Sequence, residues 1–284
     1  MDQGRKLIRL ALFGQPIKAS LSPKIHRLFA SQFDLDIEFH RIETAADGFS
    51  DALESFRLAG GYGCNVTLPI KRDAWQLAVE SSAEVTQAQA ANTLVSQPGG
   101  GWFAHNTDGP GLVVDLTSNH NIKLAGERIL VLGAGGATAG ILGSLLAAGI
   151  NQIVLVNRNL ERARELADRF GATAQISVID WGSLPLQASF GLVINATSLG
   201  HQGKAPPLPA SVFADGSVCY DLNYFKAALA LENLCSEMGQ KYIDGLGMLV
   251  EQAARSFYIW TGLKPETQSV IKACRVDIHV HHSQ

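Results

Sequence analysis

Short apolar runs alternate along the chain with longer stretches whose apolar residues recur at helical spacing. Leu7 to Phe13, Ile37 to Ile42 and Tyr62 to Val66 read as strands. Between them Ser22-Pro23 starts a helix, with Ser able to cap it and Pro at the first helical position. Phe49 to Leu58 has helical spacing, and Pro69 opens a further helix toward Val79. Asn92 to Ser96 and Gly101 to His105 pair as a hairpin across Pro98-Gly99-Gly100. A helix led by Asp108-Gly109-Pro110 is followed by a second series. In it come strand Ile129 to Leu132, a glycine turn, a helix to Ala148, strand Ile153 to Val156, helix Glu161 to Phe170, and strands at Ile176 to Ile179, Leu192 to Asn195 and Val218 to Asp221. Such alternation predicts an α/β protein whose parallel sheet is covered on both faces. Leu246 to Trp260 and Pro265 to Arg275 read as two closing helices, and there is no internal repeat or low-complexity segment.

Composition narrows the class. At roughly 100 to 200 residues per domain, 284 residues suggest two domains. Apolar residues make up 46% and charged residues 17%, which excludes a polar disordered chain. With 23 Lys and Arg against 26 Asp and Glu, and no basic block, a nucleic-acid partner is not expected. Cys64, Cys219, Cys235 and Cys274 are far apart, which argues against a zinc ribbon or a disulfide framework and fits reduced thiols in the cytoplasm. From Ile129 to Ile150 no residue is charged, long enough to cross a bilayer, but Gly133-Ala134-Gly135-Gly136 would break such a helix at its centre. The N-terminus, with Asp2, Arg5, Lys6 and Arg9, does not read as a signal peptide. His279, His281 and His282 form a terminal tail without a second ligand cluster, so no metal requirement is expected.

Candidate chemistry begins at Gly133-Ala134-Gly135-Gly136-Ala137, between a strand and a helix. Glycines there keep the turn tight and let backbone N–H groups approach a pyrophosphate, which a helix N-terminus attracts. The third fingerprint position is Thr138 rather than Gly or Ala. At the end of the next strand, where an acidic residue would hold ribose hydroxyls, stand Asn157 and Arg158, with Arg162 a turn later. Cations there suit the 2′-phosphate of NADP, while the plainer reading is a solvated helix face paired with Glu161 or Glu165.

Three constellations stand out in the first half. Ser20-Leu21-Ser22 places two hydroxyls on one side of an extended segment, or caps a helix. Asn65-Val66-Thr67-Leu68-Pro69-Ile70-Lys71 puts Lys71 in the first turn of a helix, where the helix dipole disfavours a cation. Asn106-Thr107-Asp108-Gly109 puts a carboxylate at a helix start, where capping is the default explanation.

These motifs, followed in order by Asn195-Ala-Thr-Ser198 and Asp244-Gly245-Leu-Gly-Met248-Leu-x-x-Gln252 and joined by Asn92-Thr93, resemble the shikimate dehydrogenase family from about Ala11 to Ile271. The resemblance implies an N-terminal α/β substrate domain (residues 1–108, completed by 246–284), a Rossmann NADP-binding domain (109–245) and an active site in a mobile cleft. It implies reversible hydride transfer between NADPH and the ketone of 3-dehydroshikimate, in aromatic biosynthesis. Lys71 would exchange the proton, with Asp108 bonded to the same hydroxyl. Ser20 and Ser22, helped by Tyr224, would take the substrate carboxylate, while Thr67, Asn92 and Gln252 would take ring hydroxyls. Cofactor contacts would come from Gly133, Ala134, Gly135, Gly136 and Ala137, from Asn157, Arg158, Asn159 and Arg162, and from Leu222 and Gly245.

The chain departs from the family's habits at Gln89, Ala139, Leu222, Lys226 and Leu229, where Gly, Arg, Met, Pro and Thr are common. Alternatives are a quinate/shikimate dehydrogenase using NAD, disfavoured by the basic end of the second Rossmann strand, a methyltransferase using SAM on a similar turn, and an NADP-binding paralogue without turnover. A monomer or homodimer without nucleic-acid or membrane partners is expected.

Overall fold

The computed structural model describes residues 7–171 and 175–281, with the side chains of 277–281 left aside. The expected tail of His279, His281 and His282 therefore lies outside the side chains described. The chain divides into two compact units, residues 1–111 with 249–284 and residues 112–248. These borders fall a few residues beyond the expected ones at 108 and 245.

The first unit begins β1 (Ile8–Gly14), α1 (Ser22–Gln32), β2 (Ile37–Glu43), α2 (Ala46–Leu58) and β3 (Gly63–Val66). It continues with α3 (Lys71–Leu77), β4 (Glu80–Ser81), α4 (Ala83–Ala88), β5 (Thr93–Ser96), β6 (Trp102–His105) and the start of α5 (Asp108–Val114). Its strands form a six-stranded mixed sheet in the order β2-β1-β3-β5-β6-β4. β1 runs parallel to β2 and β3, whereas β5 is antiparallel to both β3 and β6, because Thr93–Ser96 and Trp102–His105 form the expected hairpin. Phe13, Phe49 and Phe56 fill the core with edge-on contacts at 5.6 and 5.7 Å, in one cluster with Ile70 and Leu94.

Two expectations about helix starts are corrected here. Ser22 is the first helical residue of α1 rather than its cap; Leu21 occupies the cap position and no side chain caps the helix. Asp108 likewise begins α5, its side chain turned to Lys71 and Asn92, while its own N–H donates to Asn106 Oδ1 at 3.1 Å. The short β4 and α4 are additions to the elements that the pattern predicts. α4 ends at Gln89, whose φ of 51° is left-handed, a conformation that favours glycine.

The second unit follows α5 with a π-helical turn, Asp115–Asn119. Then come β7 (Arg128–Leu132), α6 (Gly136–Ala147), β8 (Gln152–Val156), α7 (Leu160–Asp168), β9 (Ile176–Ile179), β10 (Phe190–Asn195), β11 (Phe213–Asp221), α8 (Leu229–Glu237) and β12 (Lys241–Ile243). The chain closes with α9 (Leu246–Thr261) and α10 (Gln268–His281), of which all but the start of α9 belongs to the first unit. The six strands of the second unit are all parallel, in the order β12-β11-β10-β7-β8-β9. This is a doubly wound sheet with its topological switch between β7 and β10. Ligands of such sheets bind outside the carboxyl ends of the strands at that switch.

Glycine is required by close approach at the edge of this unit. An ideal Cβ on Gly247 would lie 2.0 Å from Asp115 Oδ1. The buried Asp115 accepts from Tyr220 Oη at 2.6 Å and from Asn119 Nδ2 at 2.7 Å. Among the described residues no helix is long and apolar enough to cross a membrane, and the uncharged run resolves into β7, the turn and α6 as its glycines predict.

Candidate active site

In the first unit the ends of three elements and the middle of α9 converge on one polar cluster. α3 begins at Lys71 and α5 at Asp108; the Lys71 ammonium and Asp108 Oδ2 form an ion pair, their side chains only 12% and 8% exposed. Asp108 Oδ1 accepts from Asn92 Nδ2 at 2.8 Å, just before β5. Asn92 Nδ2 also reaches Gln252 Oε1 on α9 at 3.2 Å and Thr107 Oγ1 at 2.9 Å. Gly111 lets α5 approach α9 this closely, since a Cβ there would meet Gln252 N at 2.6 Å. Of the expected residues, Lys71, Asp108, Asn92 and Gln252 are thus brought into one hydrogen-bonded cluster. Thr67 stands apart from that cluster: its methyl packs on Gly14, where an added Cβ would sit 2.5 Å away, and its N–H donates to Phe13 O at 2.9 Å.

Ser20 and Ser22 hydroxyls are paired at 3.2 Å, and Ser20 Oγ accepts the Ser22 N–H at 3.2 Å. Arg41 of β2 donates to Ser20 O at 2.7 Å, which pins the loop before α1 and brings a cation near the two serines. No pattern in the chain singles out that arginine.

Several buried polar residues of the cluster carried no expected role. Asn65 Nδ2 donates to Thr93 Oγ1 at 3.1 Å and to Ser256 Oγ at 3.0 Å, and Thr107 N–H donates to Asn92 Oδ1 at 2.8 Å. His26 faces Asn65 Oδ1 at 3.1 Å and is fully buried, and burial pushes its pKa down to about 3. Helical spacing was the available signal: Ser256 lies one turn after Gln252 on α9, and His26 one turn after Ser22 on α1.

In the second unit the candidate site is mostly main chain. Gly133, just after β7, has φ +100°, and an added Cβ would meet Ala196 O at 3.1 Å. Gly135 is the cap position of α6, with nothing within 4 Å of an added Cβ, so open space stands before the helix N-terminus formed by Gly136 and Ala137. Thr138 accounts for its own place in the fingerprint: fully buried, it donates from Oγ1 to Gly133 O at 2.8 Å and satisfies the carbonyl of the turn. Ala134 and Ala139 are buried on either side of the turn.

After β8, Asn157 Nδ2 donates to Asn159 O at 2.8 Å, and Asn159 caps α7 by accepting the Arg162 N–H at 3.0 Å. Arg158 and Arg162 are exposed and make no ion pair with Glu161 or Glu165 among the described residues, so their guanidinium groups are available to an anion.

β10 and β11 end in a cross-tied pair of loops. Asn195 Nδ2 donates to Asp221 Oδ1 at 2.9 Å, Asn223 Nδ2 to the same oxygen at 2.8 Å, and Leu222 N–H to Asn195 O at 2.9 Å. Burial raises the Asp221 pKa to about 6 against the pull of these donors. Gly245 approaches so closely that a Cβ would lie 2.4 Å from Leu222 O. The half-buried Tyr224 stands edge-on to Phe225 at 5.0 Å in this second unit. The Asn195-Ala-Thr-Ser198 motif therefore ties the loops of the switch point together.

Among the described residues no group of three or more His, Cys, Asp or Glu could hold a metal ion. All four cysteines are buried, and none forms a disulfide among the described residues.

A doubly wound parallel sheet with a glycine turn at its switch point, joined to a separate α/β unit bearing a largely enclosed lysine paired with a buried aspartate, is the build of a two-domain Rossmann oxidoreductase. Residues 12–94 match the family described as shikimate dehydrogenase substrate binding domain, residues 115–202 that of shikimate / quinate 5-dehydrogenase, and residues 245–275 that of shikimate 5'-dehydrogenase C-terminal domain. A shikimate dehydrogenase (NADP(+)) from Coxiella burnetii is 44% identical over 93% of this chain and 97% of its own length. Among solved structures, an Ael1 enzyme from Pseudomonas putida is 38% identical, with a TM-score of 0.86 over 94% of this chain and 97% of that one. A shikimate 5-dehydrogenase from Thermus thermophilus, in complex with NADP(H) and shikimate, is 31% identical, with a TM-score of 0.79 over 94% and 98%. The chain belongs to the shikimate dehydrogenase family.

Proposed function

We propose that the chain catalyses NADP-dependent interconversion of shikimate and 3-dehydroshikimate, with Lys71 and Asp108 handling the proton. The observation that carries this reading is the largely enclosed ion pair of Lys71 and the buried Asp108, set on two helix starts and backed by Asn92. The nicotinamide cofactor, when bound, would supply the hydride as NADPH in reduction and accept it as NADP+ in oxidation. The open glycine turn and the exposed Arg158 and Arg162 fit that group: backbone N–H groups would take the pyrophosphate, and the guanidinium groups a 2′-phosphate. Leu222 and Gly245, held at the strand ends, would line the rest of the cofactor site.

Reduction of a ketone leaves negative charge on its oxygen, and a positioned proton donor removes it. The Lys71 ammonium donates that proton; in oxidation the neutral amine takes the hydroxyl proton. Asp108 accepts a hydrogen bond from the same hydroxyl and holds Lys71 in line. Asn92, Gln252 and Thr67 bind ring hydroxyls, and Ser20 and Ser22, with Tyr224, donate to the substrate carboxylate. The enzyme would act in aromatic biosynthesis, in the cytoplasm, where buried thiols outside disulfides stay reduced, as a monomer or homodimer.

The test is nicotinamide absorbance with shikimate and quinate crossed against NADP and NAD. Turnover with shikimate and NADP is expected to dominate. Dominant quinate or NAD turnover would replace this reading by a broader quinate/shikimate dehydrogenase, and NADPH binding without turnover by a non-catalytic paralogue.

A further inference from the structure

The hydrogen bonds that end on Asp108 begin at a residue to which the reaction above gives no task. His26 lies on α1, fully buried, stacked at 4.7 Å on Phe39 and 5.2 Å from Trp260. Its Nε2 is 3.1 Å from Asn65 Oδ1, and its Nδ1 has no partner among the described residues. The Asn65 amide nitrogen faces Asn92 O at 3.2 Å, Thr93 Oγ1 at 3.1 Å and Ser256 Oγ at 3.0 Å, of which the carbonyl can only accept. The amide oxygen must therefore face the imidazole, and Nε2 must carry the hydrogen. That leaves a lone pair, rather than an N–H, on the unpartnered Nδ1, the less costly of the two buried orphans. Burial holds the ring neutral, as this single-donor arrangement requires.

We propose that His26 is a positioning residue for the proton-handling pair: its Nε2–H fixes the Asn65 amide, which through Thr93 fixes the face that Asn92 turns to Asp108. The amide links each have one direction, while the 2.7 Å contact between Thr93 Oγ1 and Ser256 Oγ can run either way. Thr93 Oγ1, having accepted from Asn65, donates to Asn92 Oδ1 at 3.0 Å. That oxygen also accepts the Thr107 N–H at 2.8 Å, which leaves the Asn92 amide nitrogen for Asp108 Oδ1 at 2.8 Å. The other Asp108 oxygen then holds Lys71. Reversing Asn65 would set its oxygen against the Asn92 carbonyl and remove the donor to Thr93. α1 thus serves the site twice, with Ser22 at its start and His26 a turn later. The inference rests on the reading of Lys71 and Asp108 given above.

The experiment compares the full-length chain with His26→Leu, which removes the donor at similar volume, and His26→Gln, whose amide N–H can stand where Nε2–H stood. For each, kcat and the KM for shikimate and NADP are measured together with the melting temperature; Lys71→Ala is run alongside. His26→Leu is expected to lower kcat on the order of tenfold or more, leave the KM for NADP within about twofold, and be largely rescued in kcat by His26→Gln. Equal losses in the two variants, or an unchanged kcat in His26→Leu, overturn the proposal. Should the leucine variant fail to fold, nitrogen-15 spectra of the unsubstituted protein decide instead: a neutral imidazole protonated at Nε2 is expected, and one protonated at Nδ1 overturns it. An inactive unsubstituted protein, or an active Lys71→Ala variant, would instead sink the dehydrogenase reading, while the tautomer still reports on the Asn65 bond.

Discussion

The two units build their candidate sites from different material. In the first, Lys71, Asp108, Asn92, Thr107 and Gln252 hold one another, and backbone enters mainly at the Thr107 N–H. In the second, Gly133 and Gly245 bring main chain into close approach, Gly135 leaves open space before a helix, and the arginines after β8 are exposed. A side-chain cluster aims a few donors at one reacting atom, so a single truncation strikes the chemistry. A main-chain cradle grips a large ligand in many places, so a single truncation costs affinity.

The sharpest way to break that contrast is Lys71→Ala. It is expected to lower kcat by roughly 10² to 10⁴ with a much smaller change in the KM for shikimate. Steady-state kinetics check this, and a loss confined to KM would remove Lys71 from the proton step. Next in size, Arg158→Ala with Arg162→Ala should raise the KM for NADP by at least about tenfold while that for NAD barely moves, since even one charge-assisted contact to phosphate is worth roughly 1.5 to 3 kcal/mol. Equal effects on both cofactors would take the arginines away from the 2′-phosphate.

Acidification should separate the units by sign. His26 has its pKa lowered from 6.5 to about 3, so between those values the unfolded chain binds the extra proton and stability falls as pH falls. Asp221 has its pKa raised from 3.8 to about 6, so in that window the folded chain binds the extra proton and stability rises as pH falls, by at most about 1.4 kcal/mol per pH unit. Asp221→Asn should therefore lose the stabilising limb and steepen the fall in melting temperature below pH 6. Parallel curves for the two proteins would show that Asp221 does not titrate there. The smallest effect is expected at Gln89, where Gly would relieve a left-handed φ of 51°. Gln89→Gly should gain about 1 kcal/mol or slightly less, read by denaturant unfolding, since the penalty on a side chain there is of order 1–2 kcal/mol and glycine's added chain entropy offsets part of it.

The same contrast explains how much of the molecule is legible in its sequence. Strand–turn–helix alternation and the glycines at 133, 135 and 136 announce the second unit, because strands buried on both faces and a tight turn leave strong local patterns. Lys71 and Asp108 are visible as charges at helix starts, although capping is the plainer role for Asp108; only packing shows that its carboxylate turns to Lys71 instead. His26, Thr93, Thr107 and Ser256 are illegible as a group: helical spacing places His26 below Ser22 and Ser256 below Gln252, but the contacts that join them to one another and to Asn65 reach across as many as 191 residues. Thr138 reads as a flaw in the fingerprint until its hydroxyl is seen on Gly133 O.

The contact between Gly247 and Asp115 bears on how this chain can change. Any side chain at 247 displaces the carboxylate that Tyr220 and Asn119 address, and would leave the buried phenol without its acceptor. Changing Asp115 alone strands the same phenol. The three positions therefore form an evolutionary lock: a library that varies residue 247 singly should return glycine, whereas one that varies 115, 220 and 247 together can find new combinations.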